Sequence, residues 1–368
     1  MHMTNKRILI AGGGTGGHLF PALAIGEEIQ RRDSKAKIHY VGSSFGLEAK
    51  VFPIKDVWHT LLPIRGFQRG LNITSIIRNT VLPFRILKSL LKTKNLFNDF
   101  IPDIVVGTGG YASAIPLYIA SKNNNSLPII LQEQNSFPGI TTRWFAKKAK
   151  TICIAFNESE NKLSANTILT GNPVRIGIDN GNKNSGLKEF NLKSNQKTIF
   201  LFGGSQGSSY LNQIMNSIIH NLSSAGIQVL WQTGDLEYHK YKHLESDKIR
   251  ITAFINNMSE AYAISDLLIC RSGALTLSEI TVCGKPAILI PFPHAAGNHQ
   301  TKNAQSLVEA GAARILVEKS LTPKDFMYSI MNLIHNEKEL KKMELSSKEL
   351  GEPNATKKIV DHIFGVFE

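Results

Sequence analysis

Short apolar runs recur along the whole chain and alternate with longer stretches of helical periodicity. Fully apolar strands separated by helices are typical of parallel sheets that are covered on both faces. The pattern therefore predicts an α/β protein. The predicted strands fall into a first series, Ile8–Ala11, Ile38–Val41, Ile104–Val106, Ile129–Leu131, Thr151–Ile154 and Thr167–Leu169, and a second series, Thr198–Phe202, Gln228–Trp231, Ile249–Ile251, Leu267–Ile269, Ala287–Ile290 and Arg314–Leu316.

The two series of strands indicate two domains. Between them, residues 177–195 are rich in Gly, Asn, Lys and Ser and show little periodicity. A chain of 368 residues has room for two domains at roughly 100–200 residues each. We place the linker near Gly171-Asn172-Pro173, which predicts domains over residues 1–172 and 173–351, each Rossmann-like.

Each series opens with a strand that runs into a glycine-rich turn and then a helix. The first turn, Gly12–Gly17, is followed by His18 and by Pro21, which suits the first turn of a helix. Glycine lets backbone amides approach a bulky anion, and a helix start presents unpaired N–H groups. The pattern predicts a phosphate or diphosphate site beside a titratable imidazole. The second turn, Gly203–Gly207, follows its strand in the same way.

Other ligand classes fit these turns less well. Gly12, Gly14 and Gly17 match GxGxxG, but the second strand ends in Val41-Gly42-Ser43 without the acid that a dinucleotide site needs. The second turn also matches GxSxG, the nucleophile motif of serine hydrolases. Asp266 and His294 or His299 follow Ser205 in the required order. A hydrolase leaves the first glycine turn unexplained, yet it stays open as an alternative.

Further polar residues follow predicted strands and so are expected at the ligand-binding edge of each sheet. Gly107–Tyr111 and Glu133–Asn135 do so in the first series, and Arg271 in the second, either as an anion contact or in a structural ion pair. Glu279, on the next helix, has the two acceptor oxygens that suit a ribose diol. The chain contains no DxD motif, so we expect neither a metal nor a cofactor.

The charge of the chain predicts an acidic partner. The formal net charge is +13 and the sequence pI is near 9.5. Residues 57–98 contain no acidic side chain, and aliphatic residues alternate there with Arg65, Arg69, Arg78, Arg85, Lys88, Lys92 and Lys94. Such a segment favours attachment to an anionic membrane surface, although a core-facing helix with solvated lysines is the alternative. Its apolar residues are mainly aliphatic rather than aromatic, so it does not offer the stacking platforms that nucleic-acid bases need.

Cysteine content and hydropathy predict the location. Cys153, Cys270 and Cys283 form neither a disulfide framework nor a CxxC pair, which fits a reducing compartment. No apolar run approaches the ~18–20 residues of a membrane span, and no secretory signal pattern occurs at the N-terminus. We expect a cytoplasmic protein that touches the membrane peripherally.

Eight segments, in this order, resemble the MurG family of N-acetylglucosaminyltransferases, which form lipid II in peptidoglycan synthesis. They are GGGTGGHLFPALA (12–24), GTGGYAS (107–113), EQNSFPG (133–139), GNPVR (171–175), GGSQG (203–207), TAFINNM (252–258), RSGALTLSE (271–279) and NHQTKNA (298–304). The resemblance implies a GT-B fold, two Rossmann-like domains facing a central cleft, with residues 352–368 forming a helix that packs back on the N-terminal domain. Two positions depart from the family's usual sequence: Gln132 replaces a His, and Asn256-Asn257 replaces an acidic pair.

The resemblance also implies roles for residues. UDP-GlcNAc would be the donor, and lipid I (undecaprenyl-diphospho-MurNAc-pentapeptide) the acceptor, at the cytoplasmic face of the inner membrane. His18 would be the general base, with Gly13, Gly14 and Tyr111 on the acceptor side. The donor would contact Thr15, Gly16, Gly17, Asn135, Arg175, Ser205, Ile255, Ala274, Leu275, Thr276, Leu277, Ser278, Glu279 and Gln300. A GT-B transferase with another acceptor remains a second alternative.

Overall fold

The computed structural model describes residues 6–66, 79–122, 127–204 and 206–368, and the chain divides into two compact units. Unit 1 comprises Met1–Val174 and Asn354–Glu368, and unit 2 comprises Arg175–Pro353. The boundary expected between residues 172 and 173 lies close to this division. The chain leaves unit 1, forms the whole of unit 2, and then returns to unit 1.

Unit 1 contains a seven-stranded sheet in the order β3-β2-β1-β4-β5-β6-β7, and every pairing within it is parallel. Its strands are β1 (Arg7–Gly12), β2 (Lys37–Ser43), β3 (His59–Leu62), β4 (Ile104–Gly109), β5 (Ile129–Glu133), β6 (Thr151–Ile154) and β7 (Thr167–Leu169). Its first helices are α1 (Gly16–Arg32), α2 (Glu48–Ile54), α3 (Leu82–Phe100), α4 (Tyr111–Lys122) and α5 (Ile140–Phe145).

Unit 2 contains a six-stranded sheet in the order β10-β9-β8-β11-β12-β13, again parallel throughout. Its strands are β8 (Thr198–Phe202), β9 (Gln228–Gln232), β10 (Ile249–Thr252), β11 (Leu267–Cys270), β12 (Ala287–Leu289) and β13 (Ala313–Ile315). Its helices are α6 (Lys183–Glu189), α7 (Ser209–Asn216), α8 (Ile219–Ser224), α9 (Tyr238–Tyr241), α10 (Met258–Ile264), α11 (Ala274–Cys283), α12 (His299–Glu309), α13 (Pro323–Ile334) and α14 (Glu337–Glu349).

The last helix, α15 (Ala355–Phe364), belongs to unit 1. Ile359, Val360 and Ile363 are fully buried in the core cluster that α1 and β1 also supply. Arg32 at the end of α1 forms an ion pair with Asp361 and donates to the Lys357 carbonyl at 3.0 Å. Apolar burial and a polar contact therefore both attach α15 to α1.

The predicted α/β class with two parallel sheets is confirmed, and each predicted strand overlaps an observed one. Two local elements were not predicted. Strand β3 was missed, because His59 and Thr60 interrupt the apolar pattern at this edge of the sheet. Helix α6 was missed because its segment, residues 177–195, shows little periodicity; its start is capped by the Asn182 side chain.

Both sheets reverse their strand order at one place, which fixes where a ligand is expected. The reversal lies between β1 and β4 in unit 1, and between β8 and β11 in unit 2. Ligands of doubly wound sheets bind outside the carboxyl ends of the strands at this switch point. We therefore expect the functional site in the segments that follow these four strands.

Candidate functional site

His18 lies in the first turn of α1, directly after β1 and its glycine turn. The helix begins at Gly16, with the exposed Thr15 as its N-cap residue and Gly17 beside His18. Pro21 consequently lies inside the helix, and the prediction that it marks the first turn is wrong. The earlier start brings His18 close to the N–H groups at the positive end of the helix.

The His18 ring is held by two acceptors at the switch point of unit 1. Its Nδ1 lies 2.9 Å from the Thr108 carbonyl oxygen and 3.1 Å from Gln134 Oε1. A carbonyl oxygen only accepts hydrogen bonds, so Nδ1 carries the proton. Nε2 is then the nitrogen with a lone pair to offer a substrate. The Thr108 hydroxyl returns a bond to the His18 carbonyl at 2.8 Å, which ties β4 to α1.

A buried carboxylate lies beneath the first glycine turn. Glu48 is fully buried, and its carboxylate accepts hydrogen bonds from the Gly14 N–H at 2.9 and 3.0 Å and from the Ser43 N–H at 2.7 Å. A Cβ on Gly13 would lie 2.3 Å from this carboxylate, which explains the glycine. The Gly14 N–H therefore already has an anionic partner within the protein.

Tyr111 closes the other side of the first glycine turn. It opens helix α4 after β4, and a Cβ on Gly14 would lie 2.7 Å from its ring. Gly14 also has a φ of +96°, which L side chains rarely adopt. Burial raises the pKa of the Tyr111 phenol above its ordinary value, so the hydroxyl remains protonated at neutral pH. The structure thus places Gly13, Gly14 and Tyr111 together next to His18.

Asn135 follows β5 at the same edge of the sheet. The Glu133 carboxylate accepts from its backbone N–H at 3.1 Å and from its side-chain amide at 3.3 Å. A second oxygen of Glu133 accepts from the Gly139 N–H at 2.9 Å. Glu133 therefore fixes the loop that presents Asn135.

The second glycine turn lies at the switch point of unit 2. Ser205 is outside the described residues. Gly204 and Gly207 have φ values of +89° and +76°, and the Gly207 N–H donates to the Gly204 carbonyl at 3.1 Å. A Cβ on Gly207 would lie 2.1 Å from the Thr233 carbonyl oxygen, so the turn packs against the segment after β9.

Gln232, the last residue of β9, links this turn to Ile255. Its Nε2 donates to the Gly204 carbonyl at 3.1 Å, and its Oε1 accepts from the Ile255 N–H at 2.8 Å. The backbone N–H of Ile255 is therefore already paired, and its carbonyl is the backbone group left to meet a ligand. Gln232 was not predicted as a site residue, although a polar residue at the carboxyl end of a buried strand is a signal that the sequence contains.

Arg271 follows β11 and serves as a structural ion pair, one of the two roles left open by its sequence. Its guanidinium lies 2.5 Å from the Glu318 carboxylate. It also donates to the Ser208 hydroxyl at 3.0 and 3.2 Å and to the Ile290 carbonyl at 3.0 Å. Ser208 caps α7, so Arg271 connects the second glycine turn to the loop after β12.

Glu279 is buried within α11 between two donors. Arg175 Nε donates to its Oε1 at 2.9 Å, and the Tyr262 hydroxyl donates to its Oε2 at 2.9 Å. Burial raises the pKa of Tyr262 well above its ordinary value, so this phenol stays a donor. The rest of the predicted donor-contact segment forms the first two turns of α11: Ala274, Leu275, Thr276, Leu277 and Ser278.

Gln300 lies in the first turn of α12. Its Oε1 accepts from the Phe292 N–H at 2.9 Å, and its carbonyl accepts from the Ser272 hydroxyl at 2.8 Å. The orientation turns the Nε2 group of Gln300 away from Phe292, where it can donate to a hydroxyl-rich ligand. Within unit 2 the structure therefore brings Ile255, Glu279 and Gln300 to the carboxyl edge of one sheet.

Comparison with known proteins identifies the family. The N-terminal and C-terminal domain models of glycosyltransferase family 28 match residues 8–154 and 198–359. A Flavobacterium psychrophilum protein named UDP-N-acetylglucosamine--N-acetylmuramyl-(pentapeptide) pyrophosphoryl-undecaprenol N-acetylglucosamine transferase is 38% identical over 371 residues, spanning 100% of this chain and 99% of that protein. A Bacillus cytotoxicus protein of the same name is 36% identical over 361 residues, spanning 96% and 98%. The crystal structure of Acinetobacter baumannii MurG matches with a TM-score of 0.74 and 25% identity, covering 98% of this chain and 99% of that chain.

The chain belongs to the MurG family. Its two parallel-sheet Rossmann-like units are those of the GT-B fold class. At the positions that depart from the usual MurG sequence, Gln132 is fully buried and donates to Asn172 Oδ1 at 3.0 Å. Asn257 is exposed and donates to Glu189 Oε2 at 3.1 Å. Gln132 and Asn257 each therefore have a polar partner in the structure.

The serine-hydrolase alternative is not supported by the MurG relatives or by the position of Asp266. Its carboxylate accepts from the Thr198 N–H at 2.7 Å, at the first residue of β8. The glycine turn that carries Ser205 follows the last residue of β8, at the opposite edge of the sheet. Asp266 therefore cannot orient a histidine beside Ser205.

Within residues 6–66, 79–122, 127–204 and 206–368, no helix combines the length and the apolar character needed to cross a bilayer.

Proposed function

We propose that this chain transfers GlcNAc from UDP-GlcNAc to the C4 hydroxyl of MurNAc in undecaprenyl-diphospho-MurNAc-pentapeptide, with inversion at the anomeric carbon. Membership of the MurG family over the full length of the chain carries this proposal. The relatives' shared name specifies both the donor and the lipid-linked acceptor. A transferase of the same fold with a different acceptor has no observation in its favour.

The donor contacts are proposed from unit 2. The Ile255 carbonyl suits the uracil N–H, and each Glu279 oxygen has a further lone pair for the ribose diol. The Gln300 amide suits the GlcNAc hydroxyls, and Ser205 with the amides of its turn suits the diphosphate. Thr15, Gly16, Gly17 and Asn135 are proposed to contact the donor from unit 1.

The chemical step is proposed to use His18 as a general base. His18 Nε2 takes the proton from the acceptor C4 hydroxyl while that oxygen forms a bond to the anomeric carbon. The bond from the anomeric carbon to the diphosphate oxygen breaks, and UDP leaves with the electron pair. The N–H groups at the helix starts supply electrostatic stabilisation for the charge on the leaving diphosphate. The Nδ1–H contact with Thr108 supports this role, because in the neutral ring it places the lone pair on Nε2.

The step is tested with His18→Ala. Loss of a general base typically lowers the rate by ~10²–10⁴, so we expect kcat to fall by that range while UDP-GlcNAc binding is retained. Turnover is measured with a lipid I analogue, and donor binding by calorimetry. His220→Ala, at an exposed position in unit 2, is the matched control. Near-normal turnover of His18→Ala would remove His18 from the mechanism.

We also propose that the protein acts at the cytoplasmic face of the membrane and contacts its anionic surface through α3. Phe84, Leu87 and Leu91 are 75%, 57% and 57% exposed along this helix. Their spacing places them on one face, and Arg85 and Lys88 flank them. Arg69 and Arg78, which belong to the same basic segment, lie outside the described residues. An exposed apolar face with basic neighbours is typical of helices that lie in a membrane interface.

A further inference from the structure

Among the described residues, the His18 ring is oriented by neutral groups alone. Nδ1 contacts the Thr108 carbonyl and Gln134 Oε1. The nearby carboxylates are engaged elsewhere: Glu48 accepts from Gly14 and Ser43, and Glu133 accepts from Asn135 and Gly139. The acid that orients the histidine in a Ser-His-Asp arrangement has no counterpart in these contacts.

The orientation of the Gln134 side chain is fixed by what surrounds its nitrogen. Gln134 is 2% exposed, and its Nε2 donates to the Thr108 carbonyl at 2.7 Å and to Gln132 Oε1. Both of those atoms are acceptors, so a flipped amide would bring oxygen against oxygen. Oε1 is therefore the atom that faces His18.

The contact between Gln132 and Gln134 is supported in turn by Asn172. Gln132 Nε2 donates to Asn172 Oδ1 at 3.0 Å, and Asn172 Nδ2 donates to the Gln134 carbonyl at 3.1 Å. Asn172 is 2% exposed. The three buried amides form a closed set of hydrogen bonds, and such networks are rigid when every member is satisfied.

We propose that Gln134 is a positioning residue for His18, and that its amide, with the Thr108 carbonyl, holds the imidazole as the Nδ1–H tautomer with Nε2 ready to accept a proton. This inference rests on the proposed role of His18 as the base. Gln134 supplies orientation without charge. The side-chain network of Gln132 and Asn172 determines which end of the Gln134 amide faces the ring.

The kinetic test is Gln134→Met, which keeps the approximate length of the side chain and removes its hydrogen bonds. Misplacing a reacting group by about 1 Å costs ~10²-fold in rate. We expect kcat to fall by ~10–100-fold, with the KM for UDP-GlcNAc unchanged within about twofold. In a His18→Ala background, Gln134→Met should lower kcat no further, because its effect passes through His18. Equal losses in both backgrounds would overturn the proposal and leave Gln134 with a structural role only.

The tautomer is tested directly by nitrogen NMR of ¹⁵N-histidine-labelled full-length protein, with His18→Ala assigning the signals. We expect the neutral ring of wild-type His18 to carry its proton on Nδ1 and not on Nε2, and Gln134→Met to show a mixture of tautomers. A wild-type Nε2–H tautomer would overturn the proposal. This measurement also separates the two hypotheses, because it reports on Gln134 even if His18→Ala proves active and the base assignment fails.

Gln228→Met provides the matched control. Gln228 is fully buried in unit 2, where its amide contacts Lys193 and Thr198 at the amino end of the sheet. Its loss removes a comparable set of buried hydrogen bonds away from His18. We expect it to lower stability and leave the His18 tautomer unchanged. A tautomer shift of equal size in this variant would show that the signal follows general destabilisation.

Discussion

Glu279 shows how the burial of a single carboxylate can be compensated while its direction is fixed. Removing a carboxylate from water is costly unless hydrogen bonds or an opposite charge compensate. Arg175 supplies the charge and the Tyr262 hydroxyl supplies a second donor, one on each oxygen. The pair leaves the carboxylate with a fixed direction, which is what the proposed contact with two adjacent ribose hydroxyls requires.

Tyr262→Phe tests this arrangement with a minimal change. One hydrogen bond is typically worth ~0.5–1.5 kcal/mol, so we expect the KM for UDP-GlcNAc to rise by ~3–10-fold while kcat stays within about twofold. Tyr241→Phe is the control, since Tyr241 is also buried in unit 2 but packs against Trp231 in the core cluster. Both constants are measured by steady-state kinetics with varied concentrations of UDP-GlcNAc. An unchanged KM, or the same rise in both variants, would contradict the role given to Tyr262.

At the residue scale, the sequence indicated which residues belong to the candidate site better than it indicated which groups those residues contact. His18 and Glu279 stood out because each follows a strand and a turn in a recognisable pattern, whereas Gln300 was implied by the resemblance to the family. The pairing of Glu48 with Gly14 was not predictable, because 34 positions separate them and nothing local in the sequence marks Glu48 as buried. The same limit applied to Arg271, whose partner Glu318 comes from another loop. Hydrogen bonds between distant segments are fixed by tertiary packing, which local patterns do not encode.

At the scale of elements, the position of each strand followed from its apolar run, and the parallel topology followed from the alternation with helices. The alternation did not predict the order of the strands in the sheet. That order places β1 next to β4. Because β1 and β4 are adjacent, the Thr108 carbonyl lies within hydrogen-bond distance of the His18 ring. Strand β3 was not predicted, because an edge strand with polar residues has no apolar run that would mark it in the sequence.

His39 on β2 makes the stability of unit 1 depend on pH. Burial, and then the neighbouring His59, lower the pKa of His39 from 6.5 to about 4. Between these values the unfolded chain binds a proton that the folded chain does not, so stability falls as pH is lowered through this window. Allowing for partial exposure, we expect a loss of about 2 kcal/mol on acidification. His39→Gln should abolish that part of the loss.

The measurement is hydrogen exchange of β1 and β4 amides, which lie in the core of unit 1, at about pH 7.5 and about pH 5. His220→Gln, exposed in unit 2, should keep the wild-type pH dependence. If His39→Gln lost as much stability on acidification as wild type, another group would be responsible.

At the scale of the whole molecule, the net charge of +13 is a property that no single site explains. Part of it is concentrated in α3, beside apolar side chains that a water-soluble surface would not favour. The inward face of α3 packs Ile86, Leu90, Phe97 and Phe100 against the apolar core of unit 1. The exposed side chains of Phe84, Leu87 and Leu91 form a further apolar surface on the same helix. This exposed apolar surface is the observation that most favours a lipid surface over a helix that only faces the core.

A double variant, Arg85→Gln with Lys88→Gln, tests contact with the membrane. Each basic residue near an anionic surface contributes ~1 kcal/mol, so binding to phosphatidylserine-containing vesicles should weaken by ~30-fold. Lys338→Gln with Lys342→Gln changes the net charge equally at exposed positions of α14 in unit 2 and should have little effect. Vesicle co-sedimentation compares the two variants. Equal weakening would mean that net charge alone drives the binding.

The attachment of α15 to α1 has a consequence for biosynthesis. Unit 2 is one continuous stretch of chain, whereas unit 1 needs residues from both sides of it. While the ribosome is still translating, the groove on α1 that receives Ile359, Val360 and Ile363 stays open to water even though everything else in that half of the molecule has emerged. The ribosome therefore begins with unit 1, yet unit 1 is the unit whose fold is completed last. We expect a chaperone that binds nascent chains to act on this unit.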